Sequence, residues 1–239
     1  MRVVLSILFW IGSTVITIIL FCVVFVVVIT TFPFDKKRKI AHAQCFWWSS
    51  CVLKMNPFWR LSVKGLENID RNKTYVIIAN HQSMADIAVL YKTHMQFKWV
   101  AKDGLFKVPF IGWCLSLTKH ISLERGEFAS IKKVYREAAQ WLRKDMSVLF
   151  FPEGTRSDTD KMNVFQNGAF KLAIKEKKPV LPIRISGTRD AISKGSWVFK
   201  TKVSTTITVL PAIDTSSLNP GDFASLRNAV FNKIAGGAL

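Results

Sequence analysis

Tyr75-Val76-Ile77-Ile78-Ala79 is an unbroken apolar run, and the polar turn Asn80-His81-Gln82-Ser83 follows it at once. Such a run is too short for a stable helix. Its β-branched content marks it as a strand buried on both faces, the signature of a parallel sheet. Ser147-Val148-Leu149-Phe150 repeats the pattern and opens into Phe151-Pro152-Glu153-Gly154-Thr155-Arg156-Ser157. Further short β-branched or aromatic runs occupy residues 59–63, 97–101, 120–123, 180–186 and 206–210. Helical patterns lie between them. The clearest covers 127–145, where Phe128, Ile131, Val134, Ala138, Trp141 and Leu142 form one apolar stripe, with Lys132, Lys133, Arg136, Arg143 and Lys144 facing elsewhere. Strand–helix alternation with apolar strands predicts an α/β domain, its largely parallel sheet flanked by helices.

The chain has 239 residues, enough for one compact domain with an appendage and a core that needs no disulfide framework. The division falls near residue 57. From Val3 to Thr31 no residue is charged, a length able to cross a bilayer core or lie tilted in it. Only Arg2 precedes the run as a charged side chain and no A-x-A site follows it, so it reads as an uncleaved anchor. A second helix is expected over 35–55, with Ile40, Ala43, Trp47, Cys51 and Met55 near helical spacing and Pro57 ending it. Residues 1–56 thus read as a membrane-anchoring two-helix segment and 57–239 as the catalytic or binding domain. Together they make an α/β fold with an N-terminal membrane-associated element.

Net charge is +18, from 34 Lys and Arg against 16 Asp and Glu. A basic chain suits nucleic acid, acidic substrates or an anionic membrane face, and the apolar segment favours the last two. Lys36-Lys37-Arg38-Lys39 directly follows that segment, which places this end on the cytoplasmic side and adds attraction to anionic lipid. No zinc-finger, RNA-binding, Walker A, dinucleotide or serine-elbow motif is present, so no nucleic-acid partner is expected. Cys22, Cys45, Cys51 and Cys114 form no close framework and read as small apolar residues in a reducing compartment. His42-x-x-Cys45 lacks further ligands at zinc spacing, so no metal is expected.

Both decisive strands end in motif loops, and ligand sites of open α/β sheets gather at that carboxyl edge. His81 leaves the first strand, and Asp86 follows with four residues between, one turn into a helix that Ser83 can cap. A neutral imidazole held by a carboxylate on one nitrogen can take an alcohol proton on the other. Alone, the pair equally suits a turn histidine capping a helix. In the second loop Glu153 can accept hydrogen bonds from a polyol, Gly154 permits close backbone approach, and Arg156 offers a planar fork for phosphate oxygens. Lys102 and Arg125 end two further strands and, with Arg156, would form a phosphate pocket. The apolar segment 105–117, with Phe106, Phe110 and Trp113, suits either an acyl groove or core packing.

Over roughly residues 57–215 the sequence resembles the 1-acylglycerol-3-phosphate O-acyltransferases, the PlsC-type glycerolipid acyltransferase family. Asn80-His81 with Asp86 matches the family's NHx4D block, and Phe151–Ser157 its complete FPEGTRS block. Ile121-Ser122-Leu123-Glu124-Arg125 and Val180-Leu181-Pro182-Ile183 stand where its second and fourth blocks fall. Gly104 departs from the glutamate common in the family, which leaves the contact of Lys102 open. The resemblance implies His81 as base and Asp86 as its orienting partner. Lys102, Arg125, Glu153, Gly154, Thr155 and Arg156 would bind the acceptor.

The implied reaction moves a fatty acyl chain from a thioester to the sn-2 hydroxyl of lysophosphatidic acid, giving phosphatidic acid. No metal or prosthetic group is required; acyl-CoA or acyl carrier protein thioester is the co-substrate. Backbone N–H groups near Gly154 or at the Ser83 helix start are the expected oxyanion donors. Another lysophospholipid or lyso-aminolipid is the alternative acceptor, and a basic membrane-binding module the non-enzymatic one. The expected location is the membrane, with the catalytic domain at its cytoplasmic face (the inner membrane if the source is bacterial). By the same resemblance, residues 1–56 form a hairpin in one leaflet rather than a full span.

Overall fold

The computed structural model describes residues 2–155, 162–192 and 196–236. Seven strands form one sheet in the order β1-β7-β6-β2-β5-β3-β4. They are β1 (Trp59–Lys64), β2 (Val76–Ala79), β3 (Phe97–Lys102), β4 (Ile121–Leu123), β5 (Ser147–Phe150), β6 (Val180–Ser186) and β7 (Val203–Val209). All seven coincide with the runs expected from sequence, the largest shift being the start of β7. The five from β6 to β4 are mutually parallel, while β7 pairs antiparallel with β6 and carries β1 with it.

Alternation along the strands fills two layers. Ile77, Ala79, Leu149 and Ile183 face one layer, built from α1 (Arg2–Thr30), α2 (Lys39–Lys54), α3 (Ala85–Leu90) and α5 (Ile111–Leu117), the last preceded by the short α4 (Asp103–Phe106). Val76, Ile78, Val148 and Phe150 face the other, made by α6 (Phe128–Arg143), α7 (Gly168–Lys175) and α8 (Phe223–Ala235). Adjacent strands β2 and β5 therefore hand the chain to helices on opposite faces, β2 to α3 and β5 to α7. That divergence opens a crevice at the carboxyl ends of these two strands, the place where such sheets bind ligands.

The stripe on α6 is only partly used. Val134, Ala138 and Leu142 are buried, but Phe128 remains 79% exposed. The helix begins above the sheet's carboxyl edge and meets the core only after its first turn.

The N-terminal helix lies along this domain rather than away from it. At its start, Ser6 Oγ accepts the Phe199 N–H at 2.9 Å and the Trp10 indole donates to the Trp197 carbonyl at 2.7 Å. Midway, Phe21 packs edge-on against Phe110 and at a tilt against Trp113 of the α5 region, with centroids 5.7 and 5.2 Å away. Phe110 sits there in a strained γ-turn, φ 62°, ψ −54°, closed by the Ile111 N–H on the Pro109 carbonyl at 2.7 Å. The segment read as suiting either an acyl groove or core packing thus docks α1 through Phe110 and Trp113. On the far side α1 stays bare: only 22% of its most apolar stretch is buried. A naked apolar face of this size on a helix fixed along a domain is compatible with membrane association.

The turn after α1 is fixed by two buried charges. Asp35, expected to open the second helix, stands before it and accepts the N–H groups of Lys39 and Ile40 at 2.7 and 2.9 Å. Lys98 on β3, fully buried, donates to the carbonyls of Lys37 and Thr118 at 2.9 and 2.6 Å and lies 4.9 Å over the Trp141 ring. It ties the juxtamembrane turn to the amino edge of the sheet. Of the cysteines, Cys45 and Cys114 are buried as expected, whereas Cys22 and Cys51 are exposed on the helical pair; all four are free.

Burial pushes the Lys98 ammonium down to about 7, with Asp35 opposing in part. Between there and the ordinary lysine value of 10.5, the unfolded chain holds a proton that the folded chain lacks, so stability rises with pH across that window. Below it the full cost of burying the charge is present. In denaturant titrations the stability of the wild type relative to Lys98→Met should rise with pH through the window, by at most about 1.4 kcal/mol per pH unit. A pH-independent difference would count against a buried, shifted lysine.

Candidate active site

Parallel pairing sets the level of the two motif loops. Ile78 lies opposite Phe150, so His81 and Glu153, each three residues further on, emerge side by side. The Glu153 carboxylate accepts the His81 backbone N–H at 2.8 Å with Oε1 and the Asn163 N–H at 2.8 Å with Oε2. It is 6% exposed. Burial raises its pKa above the ordinary glutamate value, and the two N–H donors work against that rise. Expected to meet a polyol, Glu153 has a lone pair on Oε1 committed to tying the two loops together and one on Oε2 committed to Asn163 within its own loop.

Asp86 does the corresponding work inside the first loop. Its Oδ2 accepts from His81 Nδ1 at 2.7 Å, from the Gln82 N–H at 2.7 Å and from the Ser83 N–H at 2.9 Å. The Asp86 side chain is wholly buried, and that of His81 is 19% exposed. A carboxylate has no proton to give, so the His81 proton sits on Nδ1 and Nε2 keeps its lone pair for an incoming group. Among the described residues Nε2 has no partner. Phe151 stacks on the imidazole, centroids 4.3 Å apart and 23° from parallel, and fixes the ring plane.

Three supports were not legible as site residues. The Asn80 carboxamide reads the backbone of β6 from both sides, donating to the Ile185 carbonyl at 2.8 Å and accepting its N–H at 2.7 Å. Thr188 Oγ1 donates to Gln82 Oε1 at 3.3 Å, and Ser83 Oγ to the Ile192 carbonyl at 3.3 Å. Asn80 stood beside His81 in the sequence, but its partner lies 105 residues on. Ser83 is only a weak cap: it accepts the Ala85 N–H at 3.4 Å.

Three of the amides at the expected oxyanion positions are otherwise engaged. The Gln82 and Ser83 amides serve Asp86, and the Gly154 amide donates to the Phe151 carbonyl at 3.1 Å. Gly154 has φ +72°, the left-handed region, with open space where a side chain would start, so the backbone conformation is what favours glycine here. Thr155 is exposed beside it, and Arg156 falls outside the described residues.

Lys102 and Arg125 are exposed at the ends of the neighbouring strands β3 and β4, Lys102 level with Leu123. With β5 between β2 and β3, these ends stand about 10 and 14 Å from that of β2 at ordinary strand spacing. On the opposite flank, a cavity of ≈ 150 Å³ opens between the first turns of α1 and segments 55–58 and 199–201, walled by Leu5, Phe9, Phe58 and Phe199.

A buried carboxylate holding an imidazole at a sheet crevice, with cations on one flank, is an arrangement chemically able to move a proton during group transfer. Residues 60–186 match the family model described as Acyltransferase, and the chain belongs to that family. It is 36% identical over 180 residues to a chloroplastic 1-acyl-sn-glycerol-3-phosphate acyltransferase of Brassica napus, covering 73% of this chain and 52% of the relative. To the 1-acyl-sn-glycerol-3-phosphate acyltransferase of Saccharomyces cerevisiae it is 33% identical over 189 residues, 76% of this chain and 61% of the relative. The chain spans about half the length of the plant and algal relatives it matches. Its fold matches the crystal structure of the 1-acyl-sn-glycerophosphate (LPA) acyltransferase, PlsC, from Thermotoga maritima, with a TM-score of 0.79 at 23% identity over 100% of both chains.

Glu153→Gln should turn an NH₂ group against one of the two backbone N–H donors. Loss of a charge-assisted bond with a donor left facing a donor predicts a fall in turnover of about tenfold or more. Activity should also decline on the acid side at a pH above the ordinary glutamate value, as Glu153 takes up a proton. Steady-state rates of the two proteins across pH test this, and unchanged turnover in Glu153→Gln would remove the clamp.

Proposed function

We propose that this protein transfers a fatty acyl group from a thioester to the sn-2 hydroxyl of lysophosphatidic acid, yielding phosphatidic acid. The observation that carries the reading is the His81 Nδ1–Asp86 pair, which leaves Nε2 free as a base in a member of the Acyltransferase family. The names of the relatives support the acceptor. The acceptor hydroxyl gives its proton to Nε2 as its oxygen attacks the thioester carbonyl. The tetrahedral oxyanion then collapses, the thiolate leaves, and the imidazolium returns the proton to it. Positioned acid–base help of this kind is worth about 10²–10⁴-fold.

With the amides of Gln82, Ser83 and Gly154 engaged, the Gln82 carboxamide is our candidate oxyanion donor. Thr188 orients it through Oε1, and its N–H groups are uncommitted among the described residues. Lys102, Arg125 and Arg156 take the acceptor phosphate, with Gly154 and Thr155 lining its approach. The donor is acyl-CoA or acyl carrier protein thioester, and no cofactor is needed. We place the enzyme at the cytoplasmic face of a membrane, on anionic lipid, with α1 and α2 as a hairpin in one leaflet. Contact of α1 with the domain at its first turns and again at the turn after it supports the hairpin, because a helix of about 43 Å set across a bilayer would carry one end away.

Purified protein with a labelled acyl thioester and lysophosphatidic acid tests the reaction: His81→Ala should lose at least about 10²-fold in kcat. Near-wild-type turnover would sink the mechanism. Arg125→Ala should cost roughly tenfold in kcat/KM on lysophosphatidic acid and little on an acceptor without phosphate. Equal losses on both acceptors would make the arginine structural.

A further inference from the structure

Ser6 is the only hydroxyl-bearing side chain between Arg2 and Gly12, and it is fully buried. Its Oγ–H donates to the Arg2 carbonyl at 2.9 Å, which leaves the oxygen to accept the Phe199 N–H at 2.9 Å, 193 residues away. Helix propensity gives no reason for serine there, since alanine forms helix better. What the hydroxyl holds does. Phe199 faces Ile192 across an antiparallel bridge, and the Lys200 N–H donates to the Ala191 carbonyl beside it at 3.2 Å. The bridge is an isolated pair outside the sheet, so its position depends on its flanks. The Ile192 carbonyl accepts the buried Ser83 hydroxyl at 3.3 Å, and the Ser83 N–H donates to the Asp86 oxygen that holds His81 Nδ1. A second arm leaves the same segment: the Ala191 N–H donates to the Thr188 carbonyl, and Thr188 Oγ1 to Gln82 Oε1. Packing runs alongside these bonds. Ala85, Ala191, Ile192 and Phe199 form one buried cluster closed by Phe9 and Trp10 of α1, with the Phe9 and Phe199 centroids 4.0 Å apart.

We infer that Ser6 is a positioning residue for the transfer reaction: by fixing Phe199, and through it Ile192, it sets the backbone of the Gln82-Ser83 turn beside His81. The inference rests on the roles given above to His81 and Gln82. Base and oxyanion donor must meet one carbonyl from adjacent positions of a single turn, and a small displacement of that turn spoils both alignments at once. The turn is held from below by Asp86 and from the side by Ile192 and Thr188. The side support ends in Ser6, so the first turns of α1 belong to the scaffold of the site although none of their side chains touches His81.

In the full-length protein, Ser6→Ala leaves the buried Phe199 N–H without its acceptor. Its kcat should fall about tenfold with KM unchanged for both substrates, since the hydroxyl orients the turn and meets neither of them. Thr17→Val is the control: Thr17 Oγ1 accepts the Trp48 indole N–H at 3.1 Å, a bond of the same kind on the same helix but off this path, and its kcat should match the wild type. Equal loss in the two variants would overturn the inference, assigning the effect to docking of α1 in general. Ser83→Ala cuts the far end of the path. Ser6 and Ser83 share no hydrogen-bond partner among the described residues, so independent effects would multiply, whereas on one path Ser6→Ala should add little to Ser83→Ala. Multiplied losses, or wild-type kcat in Ser6→Ala, would overturn the inference. Amide hydrogen exchange read by mass spectrometry tests the path without any substrate: the peptide holding Gln82 and Ser83 should exchange faster in Ser6→Ala, with β5 and α7 as in the wild type. Unchanged exchange in that peptide, or faster exchange throughout the domain, would overturn it too. A wild type inactive on lysophosphatidic acid would count against the acceptor instead, and the exchange result would still decide the path.

Discussion

The parallel pairing of β2 with β5 is the constraint on which the site rests. Its register sets a constant offset of 72 residues between the strands, and that offset carries past their ends to His81 and Glu153. A one-residue slip would turn every side chain of β2 to the other layer, so the apolar strands guard the register strongly. The loops leave to opposite faces and would drift apart without a tie. Glu153 supplies one, from a buried position where a carboxylate is costly unless hydrogen-bonded. Its two backbone N–H partners meet that condition, and the one from His81 joins the motifs.

Asp86 applies the same logic on a shorter scale. Three donors converge on one oxygen, two of them backbone amides that shape the turn and one the imidazole Nδ1–H, whose retention leaves the Nε2 lone pair open. Orientation of the base and conformation of the loop are therefore one feature. Removing this carboxylate would release the tautomer and the turn together, and the chemical and structural parts of such a loss can be separated only by variants that keep an acceptor in place.

The strands were legible because burial on both faces leaves apolar runs that no other element explains, and His81 and Asp86 because they sit on a strand end and a helix start. What the sequence hid depends on distance. The partner of Asn80 is on β6, that of Gln82 on the loop beyond it, and nothing local marks either. Glu153 was readable as a functional carboxylate but not as the clamp, because its donors come from His81 and Asn163, on different segments. The helical stripe on α6 was correct in phase and misleading in extent: periodicity reports an apolar face without saying what covers each turn of it. Sequence placed Phe128 with the core, whereas the helix rises past the sheet before the core begins.

Charge and apolar surface are divided across the crevice in a way that suits an amphiphilic acceptor. Cations end β3 and β4 on one side of β2, while Ile192, Phe199 and the first turns of α1 gather on the other. The division follows from strand order, since the helix that begins near β6 and β7 is the one with a bare apolar face. Lys98 then secures the opposite end of that helical pair to the amino edge of the same sheet. An N-terminal helix held at both ends cannot tilt independently of the sheet, so the orientation of its bare apolar face and that of the crevice at His81 are one geometric variable, fixed by packing along α1.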